Sequence, residues 1–290
     1  VSRMSSHAKR GELDATREPR FLTESASRNE RICESAENRK HAKLSSMISF
    51  DHVSLNVTSG TALKDISLDI DPGEFLCIVG SSGSGKSLLL SLLTGESSPN
   101  NGKVTVDKIN IHNLPRTMLQ VYRREIGILK QGDDQLLPDR SIAANIAMAL
   151  EARKMRHRDI AEMTTLLLMK IGMIDRASCL PEELNRGERA RVAIAQAIAN
   201  SPKILLADEP MGDLDTESSD IIRSILTEMN QSGSTVILTT HNPKTIEDLK
   251  ARTVRLEKGE IIQKKIETKT KIKKLSDRSI QPNKISPKAS

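Results

Sequence analysis

The apolar segment Phe75-Leu76-Cys77-Ile78-Val79 runs straight into Gly80-Ser81-Ser82-Gly83-Ser84-Gly85-Lys86-Ser87 and then into the apolar stretch LLLSLLTG that begins at Leu88. A short buried strand, a glycine-rich turn and a helix in that order leave few folds open. The strand must belong to a mostly parallel sheet, and a crossover helix must carry the chain away from it. The turn fits G-x-x-x-x-G-K-[ST] in the context that gives this motif meaning. Its glycines let backbone N–H groups converge on phosphate oxygens, and the helix that starts near Lys86 presents the positive end of its dipole. Lys86 is then expected at the outer phosphates and the Ser87 hydroxyl on Mg²⁺, with Leu88 closing the binding segment.

A second strand, Lys203–Ala207, ends in Asp208-Glu209-Pro210. Two consecutive carboxylates at the end of an apolar strand are costly unless a cation or donors compensate them. In an open α/β sheet the carboxyl ends of the strands are where ligands sit, so both acids belong beside the phosphate turn. Asp208 is expected to hold the metal through water, and Glu209 to polarise an attacking water. His241 follows the next apolar strand, TVILTTHN, at the same kind of strand end. It is expected to orient that water or donate to the terminal phosphate.

Elsewhere, Ile48–Leu55, Ala62–Ile70 and Lys103–Ile111 alternate like strands of a small, partly antiparallel sheet. Glu125–Leu129 reads as a further strand, and Thr253–Glu257 as a late one. From Ile142 to Gly172 the period becomes helical, with Ile142, Ile146, Ile160, Met163, Leu167 and Ile171 in phase and the polar break EARKMRHR between two helices. Helices are also expected over Ser87–Gly95, Glu188–Asn200 and Ile221–Gln231, with a strand at Thr235–Thr239.

Charge separates the ends from the middle. Residues 1–46 hold ten basic and seven acidic side chains without apolar periodicity, and residues 263–290 hold nine basic and two acidic. The segment between them has 25 basic and 29 acidic residues, so the net charge of +6 comes from the ends. The first 46 residues are expected to be a disordered or spurious extension, since the patterned sequence opens on Met47. Residues 264–290 are expected to be a solvated basic tail. Three Phe, one Tyr and no Trp weaken any case for base or sugar stacking. Cys33, Cys77 and Cys179 are too scattered for a disulfide framework or zinc module. No apolar run approaches the length of a membrane span, and no apolar leader opens the chain. A protein of a reducing compartment follows, with peripheral attachment to a membrane protein left open.

Over roughly Met47–Gln263 the ordered series of motifs resembles the nucleotide-binding subunit of an ABC (ATP-binding cassette) system. The resemblance implies an α/β P-loop ABC ATPase fold with a mostly parallel core sheet, a small N-terminal antiparallel sheet and an inserted helical subdomain at about 137–190. It implies ATP and Mg²⁺, a homodimer that encloses two ATP molecules head to tail, and a separate integral membrane subunit at the cytoplasmic face of the plasma (inner) membrane. Gln131 in IGILKQ resembles the glutamine that touches Mg²⁺ and senses the membrane subunit, and Gln135–Arg140 the contact segment after it. Leu184-Asn185-Arg186-Gly187-Glu188 stands where the signature LSGGQ or LSGGE is expected, and Asp215 in GDLD resembles the carboxylate of the Asp loop. FDHVS, LLPDR and LLADEPMGDLD look most like the group containing FtsE, LolD and MacB. RREIGILKQ and MISFDHVS tilt toward FtsE, while IVGSSGSGKS and GERARVAIA resemble LolD equally.

This sequence also departs from the family. Asn185 replaces the signature serine and Arg186 the glycine after it, Val57 stands where an aromatic ring would meet adenine, and Met211 replaces a threonine. An extra residue lies between Gln131 and Leu136. Asn185 can still donate to phosphate, but the bulk of Arg186 is expected to hinder closure and slow turnover. Two other functions fit less of the chain. A soluble nucleic-acid ATPase would draw on the basic tail, but a single phosphate loop and one short helical insertion point away from it, and no specific nucleic-acid binding is expected. A nucleotide-dependent scaffold with little turnover would keep every motif and lose only speed.

Overall fold

The computed structural model describes residues 46–57, 60–130, 135–153, 155–242 and 249–262. Strand β1 (Ile48–Val57) buries Ile48 and Phe50, then Val53 and Leu55. The burial phase slips between Phe50 and Val53, where the pairing register also shifts. One extra residue, with His52 at φ 50°, turns the strand so that both halves bury the same face. β1 pairs antiparallel with β2 (Gly60–Ile70) and β4 (Asn101–Val106), and β4 continues into β5 (Ile109–Asn110). The result is a four-stranded sheet in the order β2-β1-β4-β5. The sequence reading of one strand over Lys103–Ile111 needs correction. Asp107 and Lys108 both take positive φ, at 48° and 66°, and break it into a hairpin.

The larger sheet has the order β10-β9-β3-β8-β7-β6, made of β3 (Phe75–Val79), β6 (Ile126–Leu129), β7 (Ile204–Asp208), β8 (Thr235–Thr240), β9 (Arg252–Glu257) and β10 (Glu260–Ile262). Its pairings are parallel except for β9 with β10. Every residue of β7 and β8 is buried, as expected where a parallel sheet is covered on both faces. Period-two alternation divides the core. Leu76, Ile78, Leu206 and Ile237 pack with the antiparallel sheet and helix α1 (Lys86–Leu93). Cys77, Leu205 and Leu238 face the opposite cluster, with α3 (Ile142–Glu151), α4 (His157–Lys170), α5 (Arg186–Ile198) and α6 (Thr216–Gln231).

Glu125, read as the start of a strand, instead ends helix α2 (Arg116–Glu125). Sequence periodicity missed this helix because it anchors itself mainly through polar groups. Tyr122 donates to the Leu93 carbonyl, and Arg123 to those of Thr94 and Gly95. Helix α6 starts five residues before the expected Ile221, because Asp215 caps it at Ser218 N–H. Strand β10 was not anticipated. The expectations for residues 1–45, for Gln131 and for residues 264–290 lie outside the described residues.

Candidate functional site

Strand register brings the chemistry together. Val79 at the end of β3 pairs with Thr240, and Asp208 at the end of β7 pairs with Thr239. Three adjacent parallel strands therefore finish level, and the residues that follow them (Gly80, Glu209 and His241) emerge at one edge.

The turn after β3 is built for close backbone approach. A Cβ on Gly80 would lie 2.6 Å from Ser84 Oγ and under 3.0 Å from the Leu256 carbonyl, and one on Gly85 would lie 2.7 Å from Leu63. Gly83 and Gly85 take φ values of 76° and 105°, a region L side chains avoid. Gly85 also stands at the N-cap of α1 without a side-chain cap, so no side chain competes for the first-turn N–H groups. Ser84 is buried, and its Oγ has no hydrogen-bond partner. Ser81, Ser82, Gly83 and Ser87 are exposed and line the cleft in front of the turn together with Lys86, Leu88, Glu209 and His241. This cradle suits a polyphosphate: open N–H donors, one lysine and hydroxyls in a narrow groove.

Lys86 is 6% exposed, and its Nζ donates to the carbonyls of Gly80 and Ser81 at 2.8 and 3.0 Å. Its other neighbour is Glu209 Oε1 at 3.4 Å. The second Glu209 oxygen lies 3.0 Å from His241 Nδ1. One buried carboxylate thus joins the phosphate-loop lysine to an imidazole that is 55% exposed. Glu209 reaches this position with φ at 48°, an unfavourable conformation for a non-glycine residue. Its N–H is anchored to the Thr239 carbonyl at 3.1 Å and to the Thr239 hydroxyl at 3.2 Å. That hydroxyl in turn donates to Asp208 Oδ1. Thr239 was not singled out from sequence, although a buried threonine pair closing the apolar run TVILTT could have flagged it. Asp208 and Ser87 face a common cleft, also lined by Ser91 and Thr94, where the metal residues were expected. Among the described residues no group of three or more His, Cys, Asp or Glu could hold a metal by itself. Ser87 and Asp208 would therefore need water and phosphate oxygens to complete a Mg²⁺ shell.

The signature residues form a second cluster. Asn185 caps α5: its side chain accepts from Glu188 N–H at 2.8 Å, and Glu188 accepts from Asn185 N–H at 2.9 Å. Burial raises the Glu188 carboxyl, but the Asn185 N–H and Arg176 outweigh it and hold the group below its ordinary value. Arg186 occupies the first turn of α5 with ordinary helical φ, so its backbone has no need of glycine. Its guanidinium turns to Asp213 at 3.4 Å, across an exposed gap worth less than about 1 kcal/mol. It lines a cleft shared with Glu209, His241 and Gln135. Gly187 is the crowded position, where a side chain would have to displace its neighbours. A Cβ there would come under 3.0 Å from Asp215 Oδ2 and Ser218 Oγ. Asp215 is itself the α6 N-cap, and the Ser218 N–H holds its carboxyl below the ordinary value. Val57 lies at the end of β1, 37% exposed, where it supplies no ring. Asn145, fully buried, was also overlooked. Its amide holds the Leu137, Arg140 and Ser141 carbonyls and shapes the 137–141 segment.

Known proteins resemble this chain in sequence and in fold. The family described as "ABC transporter" matches residues 63–212. The cell division ATP-binding protein FtsE of Mycobacterium tuberculosis is 38% identical over 219 residues, 75% of this chain and 95% of that protein. FtsE of Escherichia coli K12 is 37% identical over 216 residues, 74% and 97% of the two chains. The methionine import ATP-binding protein MetN 2 of Salmonella typhi is 36% identical over 223 residues, but only 66% of its length is covered. Among solved structures, the ATP-binding cassette MJ0796, as a dimer bound to ADP and Pi, superposes with a TM-score of 0.69 and 31% identity over 75% of this chain and 97% of that one. The chain thus belongs to the ABC transporter family, as an ATP-binding and ATP-hydrolysing cassette.

Proposed function

We propose that two copies of this cassette close head to tail on two MgATP molecules, and that hydrolysis drives a separate integral membrane protein, as the ATPase of an FtsE-like cell-division system. The observation that carries the catalytic part is the continuous contact from Lys86 through Glu209 to His241 at the shared end of β3, β7 and β8. In this reading the phosphate loop from Gly80 to Leu88 cradles the phosphates, and Lys86 leaves Glu209 for the outer phosphate oxygens. Glu209 then polarises the attacking water, with His241 orienting it. Ser87, Asp208 and Gln131 would hold Mg²⁺, and the ion would supply charge neutralisation for phosphoryl transfer. Asn185, Arg186, Gly187, Glu188 and Asp215 serve the nucleotide of the opposite copy.

The assignment to an FtsE-like system rests on relatives of that name being covered nearly end to end. The cassette would sit peripherally at the cytoplasmic face of the plasma membrane; among the described residues no helix is long and apolar enough to cross a bilayer. A LolD- or MacB-like exporter uses the same chemistry with a different partner. A slow, scaffold-like variant is favoured by one observation, the long Arg186 side chain at the start of α5.

Replacing Lys86 with Ala tests the catalytic reading. It should weaken MgATP binding and abolish hydrolysis with an unchanged circular dichroism spectrum. Parental turnover in the folded variant would refute the assignment.

A further inference from the structure

Arg191 is a charge placed inside the protein. It lies on α5 with about 9% of its surface exposed. Its Nη1 donates to the Ile171 carbonyl at 3.3 Å and lies 3.7 Å from Glu217 Oε1, while its buried Nε has no hydrogen-bond partner. Taking a guanidinium out of water costs several kcal/mol unless the surroundings compensate. Here compensation comes from the ends of two other helices. Ile171 follows the last turn of α4, where unpaired carbonyls carry the negative end of the helix dipole. Glu217 lies in the first turn of α6, and Asp215 is the α6 N-cap. The field of Arg191 reaches further still. The Ser218 N–H is the main cause of the low Asp215 carboxyl, and Arg191 adds to it.

These contacts connect to the signature loop through one tight approach. Asp215 Oδ2 occupies the space where a Cβ on Gly187 would be. Arg191 lies on the same helix as Gly187, one turn further along, and its guanidinium stands beside Glu217, two residues past Asp215.

From this convergence we infer that Arg191 is a positioning residue for hydrolysis: it joins the end of α4, the Asp loop and the signature helix into one rigid unit. It acts through Asp215 and Gly187 and touches neither nucleotide nor metal. The two loops that serve the opposite copy then advance together rather than separately. The inference rests on the reading of paired cassettes given above.

Arg191→Met keeps the length of the side chain and removes its charge. The carboxylate left behind, Glu217, is 78% exposed and stays solvated, so no buried charge is orphaned and the fold should survive. Turnover should nevertheless fall about tenfold at saturating ATP, the size expected when coupling between elements is lost. The KM for ATP and the affinity of a fluorescent ATP analogue should stay within about twofold, because the phosphate loop of the same chain is untouched. In a Glu209→Gln background the same change should lower the fraction of ATP-dependent dimer seen by size exclusion. Arg191→Lys, which keeps charge but loses the fork of donors, should recover part of the rate. Should Arg191→Met fail to fold, the Lys variant carries the same division between kcat and KM.

An active parent with an equally active, folded Arg191→Met variant would overturn the positioning role alone. Equal losses in thermal midpoint, nucleotide affinity and rate would overturn it too, by reducing Arg191 to a structural residue. A parent chain that binds MgATP but never pairs or turns over would remove the underlying reading, and the positioning role with it.

Discussion

Gly187→Ala is the smallest change that should damage both the fold and the chemistry. The new methyl would fall under 3.0 Å from Asp215 Oδ2 and Ser218 Oγ, and 3.1 Å from Ser218 Cβ. Both oxygens belong to the cap of α6, where Asp215 Oδ1 accepts from Ser218 N–H at 2.8 Å. Overpacking of this kind costs about 1–3 kcal/mol. Displacing the cap adds about 1 kcal/mol. Against these, alanine gains about 1 kcal/mol over glycine in a helix. The net expectation is a loss of roughly 1–3 kcal/mol, equivalent to a fall of about 0.3–1 M in the urea midpoint for a domain of this size, with a slope of about 3 kcal/mol per M. Urea titration of the single variants and of the Gly187→Ala, Asp215→Ala pair completes the comparison. Without the Asp215 carboxylate the methyl meets fewer atoms, so the cost of Gly187→Ala should shrink by about 1 kcal/mol in that background. An unchanged midpoint, or the same cost in both backgrounds, would refute the close approach of α5 to the α6 cap.

Reverting Asn185 and Arg186 together to Ser and Gly should raise the ATPase rate with ATP saturating. A lower or unchanged rate would mean that Arg186 is accommodated or contributes to phosphate binding. Asp215→Asn separates charge from capping, since Asn also caps helices well. The Asp215 carboxyl is held low in the fold, so its contribution is complete above the ordinary carboxylate range and is lost as the pH falls through the folded value. The stability difference between parent and Asp215→Asn, measured by urea at pH 7 and again near pH 4, should therefore shrink on acidification. Burial pushes the Cys77 thiol up to about 12. In a Cys33→Ser, Cys179→Ser background, labelling of Cys77 at pH 8 should follow global unfolding, and rapid labelling of the folded protein would contradict its burial.

Much of the fold could be read from sequence because the parallel strands are short apolar runs that end in functional residues. FLCIV, KILLAD and TVILTT each announce a covered strand, and their shared end follows once they are parallel neighbours. What escaped was polar anchoring. Helix α2 docks through Tyr122 and Arg123, which a search for apolar periodicity passes over. Strand β4 stops at Asp107 because of backbone conformation, which the alternating pattern did not reveal. Within the site, the residue types were legible but their joining was not. Glu209 turns toward Lys86 through a left-handed φ that nothing in ADEP specifies. Arg186 is expected to hinder closure through its bulk, and within one chain its side chain turns to Asp213. The position where a side chain is crowded lies one residue later, at Gly187, where a carboxylate 28 residues away in sequence takes the space of a Cβ. Contacts between distant segments set these features, and local composition does not carry them.

In the proposed mechanism Glu209 is the carboxylate that activates water in a closed pair of cassettes. Glu209→Gln keeps the shape and hydrogen-bonding reach of the side chain, including its proximity to Lys86 and His241, and removes the charge. Mixing this variant with MgATP and measuring both phosphate release and molecular mass by light scattering puts the claim to its most direct test. The expected result is near-complete loss of phosphate release together with an ATP-stabilised dimer that dissociates when ATP is removed. Phosphate release at the parental rate would contradict it.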